Sequence, residues 1–288
     1  AVYRLDGEKA EGAGRQPARF GGNMLPIRDL CAASASRVRF VLFDIDDTIT
    51  KDGYLLPESY EAIWALKEAG LQAVPVTGRP AGWCDLIARQ WPVAGVVGEN
   101  GAFAMFQKNG SLERMYHPLA PEPRANAERL AALGGRAMSA FPGLRVAKDQ
   151  PFRLFDLALD FAEEEPNLGL DTARRVREFC VNDGAVAKVS SIHVNAWYGA
   201  YDKLSMSERF LELEFGYDPA RDEDSVVYFG DSPNDEPMFR RYSLSCGVGN
   251  VQSFAEFMEH PPKYVTSLSY GYGFAEGVGL ILKMIEKR

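Results

Sequence analysis

Hydrophobic positions in this chain fall into short unbroken runs that end in polar or glycine-bearing loops, with helical patterns between them. Apart from Arg39, Val38 to Phe43 is apolar, β-branched and aromatic. That is the pattern of a parallel strand covered on both faces. Asp44, Asp46 and Asp47 follow at once. Thr50 to Leu56 carries the turn pair Asp52-Gly53 and predicts a small hairpin. Pro57 opens a helix through Ala69, with Tyr60, Ile63, Trp64 and Leu66 on its buried side and Gly70 as its stop. Leu71 to Val76 predicts a second strand ending in Thr77-Gly78-Arg79-Pro80, and Val93 to Val97 a third leading into Glu99-Asn100-Gly101. This alternation is that of an α/β, doubly wound parallel sheet.

The rhythm then changes. Helical patterns at about 121–140 and 168–182 alternate with paired strand patterns at Leu144 to Ala147, Phe152 to Phe161, Ala185 to Ser190 and Ile192 to Trp197. The order αββαββ describes an α+β unit inserted into the first, because strand-helix alternation resumes after a hinge at Tyr198-Gly199-Ala200. The expected organisation is a loosely held tail over 1–35, a core over 36–117 and 199–288, and an inserted cap over 118–198. Met24 is the first methionine and a candidate start. Asp202 caps a helix that carries Lys203 in its first turn. Ser225 to Phe229 predicts a further buried strand, ending in Gly230-Asp231-Ser232-Pro233-Asn234-Asp235.

Composition narrows the function. The 288 residues carry a net charge of −8, which argues against a broad nucleic-acid surface, since binding a polyanion relies on clustered Lys and Arg. A small phosphorylated molecule needs only local donors. The four cysteines are far apart and form no zinc or disulfide pattern. With no apolar stretch long enough to span a bilayer, no membrane partner is expected, and a cytoplasmic location is.

Three strand ends therefore carry polar loops: Asp44/Asp46, Thr77-Gly78 and Asp231/Asp235. In a parallel sheet all three lie on one edge, where ligands bind. Carboxylates gathered there repel one another unless a cation sits among them, and an all-oxygen site suits Mg²⁺.

The order Asp-x-Asp-x-Thr, Thr-Gly-Arg, Lys, then Gly-Asp-x-x-Asn-Asp resembles the haloacid-dehalogenase-like (HAD) phosphatase superfamily over most of the chain beyond residue 38. The αββαββ insertion between the Thr motif and Lys203 resembles the class IIB branch of sugar phosphatases and phosphomannomutases, as do Gly247-Val248-Gly249-Asn250, Tyr264-Val265-Thr266 and Gly277-Val278. The resemblance implies Asp44 as nucleophile, forming an aspartyl-phosphate, and Asp46 as general acid and then base. It implies Thr77, Gly78, Lys203 and Asn234 as phosphate contacts, with Lys203 also pairing with Asp44. It implies Mg²⁺ at Asp44, Asp46 (through its carbonyl), Asp231 and Asp235. Asp47 stands where many relatives have Gly, and its role stays open.

In the inserted unit, period-two alternation puts His193, Asn195 and Trp197 on one sheet face and Ile192, Val194 and Ala196 on the other, with Lys188 and Ser190, and Asp156 and Asp160, alternating likewise. A polar face turned to the core could bind a polyhydroxylated leaving group through Lys188, His193 and Asn195; turned outward, it is solvated surface. The expected activity is hydrolysis of a sugar or sugar-acid phosphate. Two alternatives stay open: a phosphomutase, and a non-catalytic binding protein on the same fold.

Overall fold

In a computed structural model describing residues 24–190 and 192–286, six parallel strands form the central sheet. Their order is Leu25–Pro26, Tyr264–Val265, Leu244–Gly247, Val226–Gly230, Phe40–Phe43 and Gln72–Pro75. Successive side chains of a strand point to opposite faces, and Phe40–Phe43 is apolar throughout. Val41 and Phe43 therefore enter one hydrophobic cluster, with Ile63, Phe229 and Phe274. Phe40 and Leu42 enter the other, with Phe210, Tyr228 and Met238. Helices cover both faces, which makes the sheet doubly wound. Val76 pairs in parallel with Val97, and there the sheet passes into the antiparallel strands Val96–Gly98, Phe103–Lys108 and Ser111–Tyr116.

Two details differ from expectation. The segment after Met24 is not a loose tail: Leu25–Pro26 is an edge strand of the main sheet, and Ile27, Leu30 and Ala35 are buried in its core. Its apolar residues are too few for a periodic signal, and a two-residue strand leaves none. The rest of the expected tail, 1–23, lies outside the described residues. In the helix Pro57–Glu68, Ile63 and Leu66 are buried with Ala62, but Trp64 is 43% exposed beneath the Lys67 ammonium.

Between these halves lies a second sheet, antiparallel, in the order Val186–Val189, His193–Trp197, Asp156–Asp160, Arg145–Val146. Helices Pro123–Ala140 and Gly169–Asn182 pack on its apolar face, where Leu157, Leu159, Val194 and Ala196 meet Leu130, Leu133 and Val176. The register pairs Asp156 with Trp197, Ala158 with Asn195 and Asp160 with His193, so one face gathers the polar residues. All four polar side chains, Asp156, Asp160, His193 and Asn195, are buried. No helix among the described residues is long and apolar enough to cross a membrane.

Candidate active site

The register of the parallel sheet assembles the site. Phe43 lies between Phe229 and Pro75, so the residues just beyond these three strand ends, Asp44, Asp231 and Thr77-Gly78, meet on one edge. Lys203 joins them from the helix Lys203–Phe215. The Asp202 carboxylate accepts from the Ser205 amide at 2.7 Å, and the Ser205 hydroxyl oxygen accepts from the Asp202 amide, a reciprocal cap that fixes the first turn.

That turn abuts Glu99-Asn100-Gly101, three consecutive residues of positive φ. A Cβ on Gly101 would lie 1.9 Å from the Asp202 carbonyl oxygen, so only glycine lets the two segments approach. Left-handed backbone at Glu99 and Asn100 is held by side-chain bonds. Main-chain N–H groups of Ala81, Leu154, Phe155 and Asp156 all donate to the Glu99 carboxylate. Asn100 Nδ2 donates to Asp156 Oδ2 at 3.1 Å.

Lys203 Nζ is 3.1 Å from Asp44 Oδ1 and 2.9 Å from Asp235 Oδ1, all three side chains being buried. Burial alone would lower the Lys203 pKa, but the Asp235 and Asp44 carboxylates outweigh it and the net shift is upward. For Asp44, burial pushes the carboxyl up to about 7; Lys203 pulls down, and Asp235 and Asp46 push up. Asp231 is raised by burial and by the neighbouring Asp235, Asp44 and Asp47 carboxylates.

Oxygens of Asp44, Asp231 and Asp235 lie within 4.8 Å of one another. Three buried carboxylates against one ammonium leave an excess of negative charge that a divalent cation would cancel, and the donors are all oxygen. The residues fit Mg²⁺.

They differ in freedom to bind it. Asp235 Oδ1 already accepts from Lys203 and from the Tyr228 hydroxyl at 2.5 Å, and Oδ2 from the Asp231 amide at 3.0 Å. Gly230 makes this tuck possible, since a Cβ there would lie 2.5 Å from Asp235 Oδ2. Asp231 Oδ1 accepts from the Thr48 hydroxyl at 3.2 Å. Asn250 donates to the Asp47 carbonyl at 2.9 Å, bracing the first motif from the C-terminal part of the chain.

The other expected residues divide. Thr77 is fully buried, and its hydroxyl oxygen accepts from the Arg79 amide at 3.0 Å. The Ala81 amide, at the start of the helix Ala81–Gln90, donates to the Glu99 carboxylate. A small cavity of ≈ 20 Å³ is lined by Asp44, Asp46, Gly78 and Asn234 from the core and by Arg153, His193 and Asn195 from the inserted unit. The polar face of the second sheet thus looks into the core. Asn234 Oδ1 accepts from the Ser232 hydroxyl, leaving its amide group to donate. Lys188 lies outside this cavity, in an adjoining cleft.

The largest departure from the sequence reading is a cationic network. Arg79 donates to both oxygens of Asp46, at 2.7–3.0 Å, and lies 3.7 Å from Asp149 and 3.5 Å from Glu163. Arg153, almost fully buried, donates to the Gly78 carbonyl at 2.8 Å and to Asp156 at 2.9 Å. Asn195 Nδ2 donates to the other oxygen of Asp156 at 3.1 Å. His193 Nε2 is 2.8 Å from Glu163, whose pKa is lowered to about 2 by that hydrogen bond first and by Arg79 as well, against the opposing effect of burial. Arg79 was visible in its motif without a partner; Glu99 and Glu163 carried no signal because their partners lie far along the chain, and Arg153, though Asp149 and Asp156 are close in sequence, reads as an ordinary charged residue until its contact with the Gly78 carbonyl is seen.

A parallel α/β core with acidic strand ends around a buried lysine, lidded by an inserted α+β unit, defines a class of phosphoryl-transfer hydrolases. The family model of the haloacid dehalogenase-like hydrolases matches residues 41–122 of this chain. A phosphoglycolate phosphatase of Methanobrevibacter smithii is 26% identical over 243 residues, covering 83% of this chain and 96% of that protein. Among solved structures, a protein of Thermoplasma acidophilum has a TM-score of 0.65 at 20% identity, covering 87% of this chain and 99% of that one. A HAD subclass IIB sugar phosphatase has a TM-score of 0.56 at 15% identity, covering 87% and 99%. At those identities the structural likeness is one of fold.

Proposed function

We propose that the protein is a Mg²⁺-dependent phosphatase that hydrolyses a small phosphorylated metabolite, a sugar or sugar-acid phosphate, through a phosphoryl group carried on Asp44. The observation that carries this reading is the contact of Lys203 with Asp44 beside Asp231, at the strand ends and under the polar face of the inserted sheet. The phosphoglycolate phosphatase relative supports a small anionic substrate. Asp44 and Asp231 would hold the metal, with the Asp46 carbonyl. Asp235, its oxygens already engaged, would orient Lys203 and the loop of Asp231. Bound there, Mg²⁺ would offset the charge of the incoming phosphate and the carboxylates.

In the first step an Asp44 oxygen attacks phosphorus and the ester P–O bond breaks; Asp46, which Arg79 holds as a carboxylate before substrate enters, would exchange that pairing for a proton and pass it to the leaving oxygen. In the second, Asp46 takes a proton from a water that attacks phosphorus, and phosphate leaves Asp44 free. Lys203 stays within reach of the nucleophile and offsets charge developing on the phosphoryl oxygens. The Gly78 amide and Asn234 would donate to those oxygens. His193 and Asn195 would meet the leaving group, and the closed inserted unit would keep bulk water out.

The test is phosphate release from a panel of sugar phosphates, sugar-acid phosphates and an aryl phosphate, with and without Mg²⁺, with the products analysed. Free phosphate and dephosphorylated product are expected. Isomerised substrate without free phosphate would identify a mutase, and no conversion of any compound would contradict catalysis.

A further inference from the structure

A second cleft, of ≈ 380 Å³, adjoins the catalytic cavity. Its walls come from the inserted unit's helix Gly169–Asn182 and strand Val186–Val189 on one side, and from the core turns Pro233–Asp235 and Gly249–Phe257 on the other. Ser190, Ser232 and Asn234 line both spaces, so a molecule seated at Asp44 can extend past them into the cleft.

The charge there runs against that of the whole chain. In a protein of net charge −8, the cleft is lined by Arg174, Arg177 and Lys188. Its one lining carboxylate, Glu236, already accepts from the His260 amide at 2.7 Å. Arg177 spends Nε on the Ala187 carbonyl at 3.2 Å, which leaves its terminal nitrogens. Arg174 pairs with exposed Asp171 and lies 5.0 Å from the Phe257 ring. Lys188 is half-buried and has no hydrogen-bond or ion-pair partner among the described residues. A lysine on the wall of a cleft, with its ammonium unpaired, is placed to form a charge-assisted hydrogen bond with an anionic ligand.

We propose that this cleft binds a second anionic group, a phosphate or a carboxylate, at the end of the substrate remote from the reacting phosphoryl group, with Lys188 and Arg177 as the donors. This rests on the phosphatase reading for the reacting end only. The site then selects phosphoesters that carry two separated anions over those with a neutral tail.

The experiment is calorimetric titration in Mg²⁺ buffer of full-length D44N, which need not turn over, with two matched pairs. Fructose 1,6-bisphosphate against fructose 6-phosphate reads a distal phosphate; 6-phosphogluconate against glucose 6-phosphate reads a distal carboxylate. About tenfold tighter binding of the doubly anionic member is expected in at least one pair, as for one charged hydrogen bond in a half-buried site. Adding Lys188→Ala and Arg177→Ala should shrink that preference to about twofold or less, and the pair that responds names the anion. Equal affinity within both pairs, or a preference that survives both substitutions, would overturn the proposal. If the preference holds and depends on Lys188 while the wild type releases phosphate from nothing, the cleft stands and the phosphatase reading falls.

Discussion

Lys203 reaches both Asp44 and Asp235 from a position 4% exposed, and its removal would strand two buried carboxylates. Breaking a buried ion pair on one side costs about 3–5 kcal/mol. Lys203→Met should therefore lower unfolding free energy by about 3 kcal/mol in urea denaturation and abolish turnover. A loss of activity with unchanged stability would mean that the pairs are relaxed in solution. The motif residues at this scale were legible because each sits within a few positions of a strand end or helix start. The duties of Asp235 and Arg79 were not, since each is set by partners 32 and 33 positions away, Lys203 and Asp46. Sequence order brought Asp235 forward as a metal ligand; its contact with Lys203 is a second feature that order alone did not carry.

Between elements, polar contacts join the inserted unit to the core beside the apolar packing of Phe155 and Trp197. Glu99 joins the start of the helix Ala81–Gln90 to the amides of Leu154, Phe155 and Asp156. Glu99→Ala would leave four main-chain N–H groups without this acceptor, and a loss of about 3 kcal/mol is expected in thermal or urea unfolding. A change below about 0.5 kcal/mol would mean water replaces the carboxylate fully.

Glu163 belongs to the same interface. Its folded value of about 2 lies below the ordinary 4.5, so the stability it contributes is fully present above about pH 4.5 and lost as pH falls through about 2. Glu163→Gln should flatten that part of the stability profile between pH 5 and 2.5, measured by denaturation at each pH. An identical slope in both proteins would remove Glu163 from the contacts that hold the inserted unit to the core. The period-two pattern had sorted the faces of the second sheet correctly but could not say what the polar face meets; the buried bond from Asn100 of the core to Asp156 answers that.

At the scale of the whole molecule, the strand-helix alternation and the change of rhythm in the middle of the chain made the doubly wound sheet and the second α+β unit readable. The N-terminal edge strand escaped because its two residues acquire meaning only beside Tyr264–Val265, from the far end of the chain. The assembled site also predicts linkage between metal and fold. A ligand that binds only the native state stabilises it by about 2.7 kcal/mol at a hundredfold excess over its dissociation constant. Mg²⁺ should raise the melting temperature of the wild type and have little effect on Asp231→Asn. Equal shifts for both would place the bound cation elsewhere.

The proposed reaction turns on Asp44 as the carrier of the phosphoryl group. The direct measurement is a rapid acid quench of the enzyme with substrate and Mg²⁺, followed by peptide mass analysis beside D44N. A phosphoryl increment on the peptide containing Asp44, absent from the variant, is the predicted result. A label on another residue, or turnover retained in D44N, would contradict it.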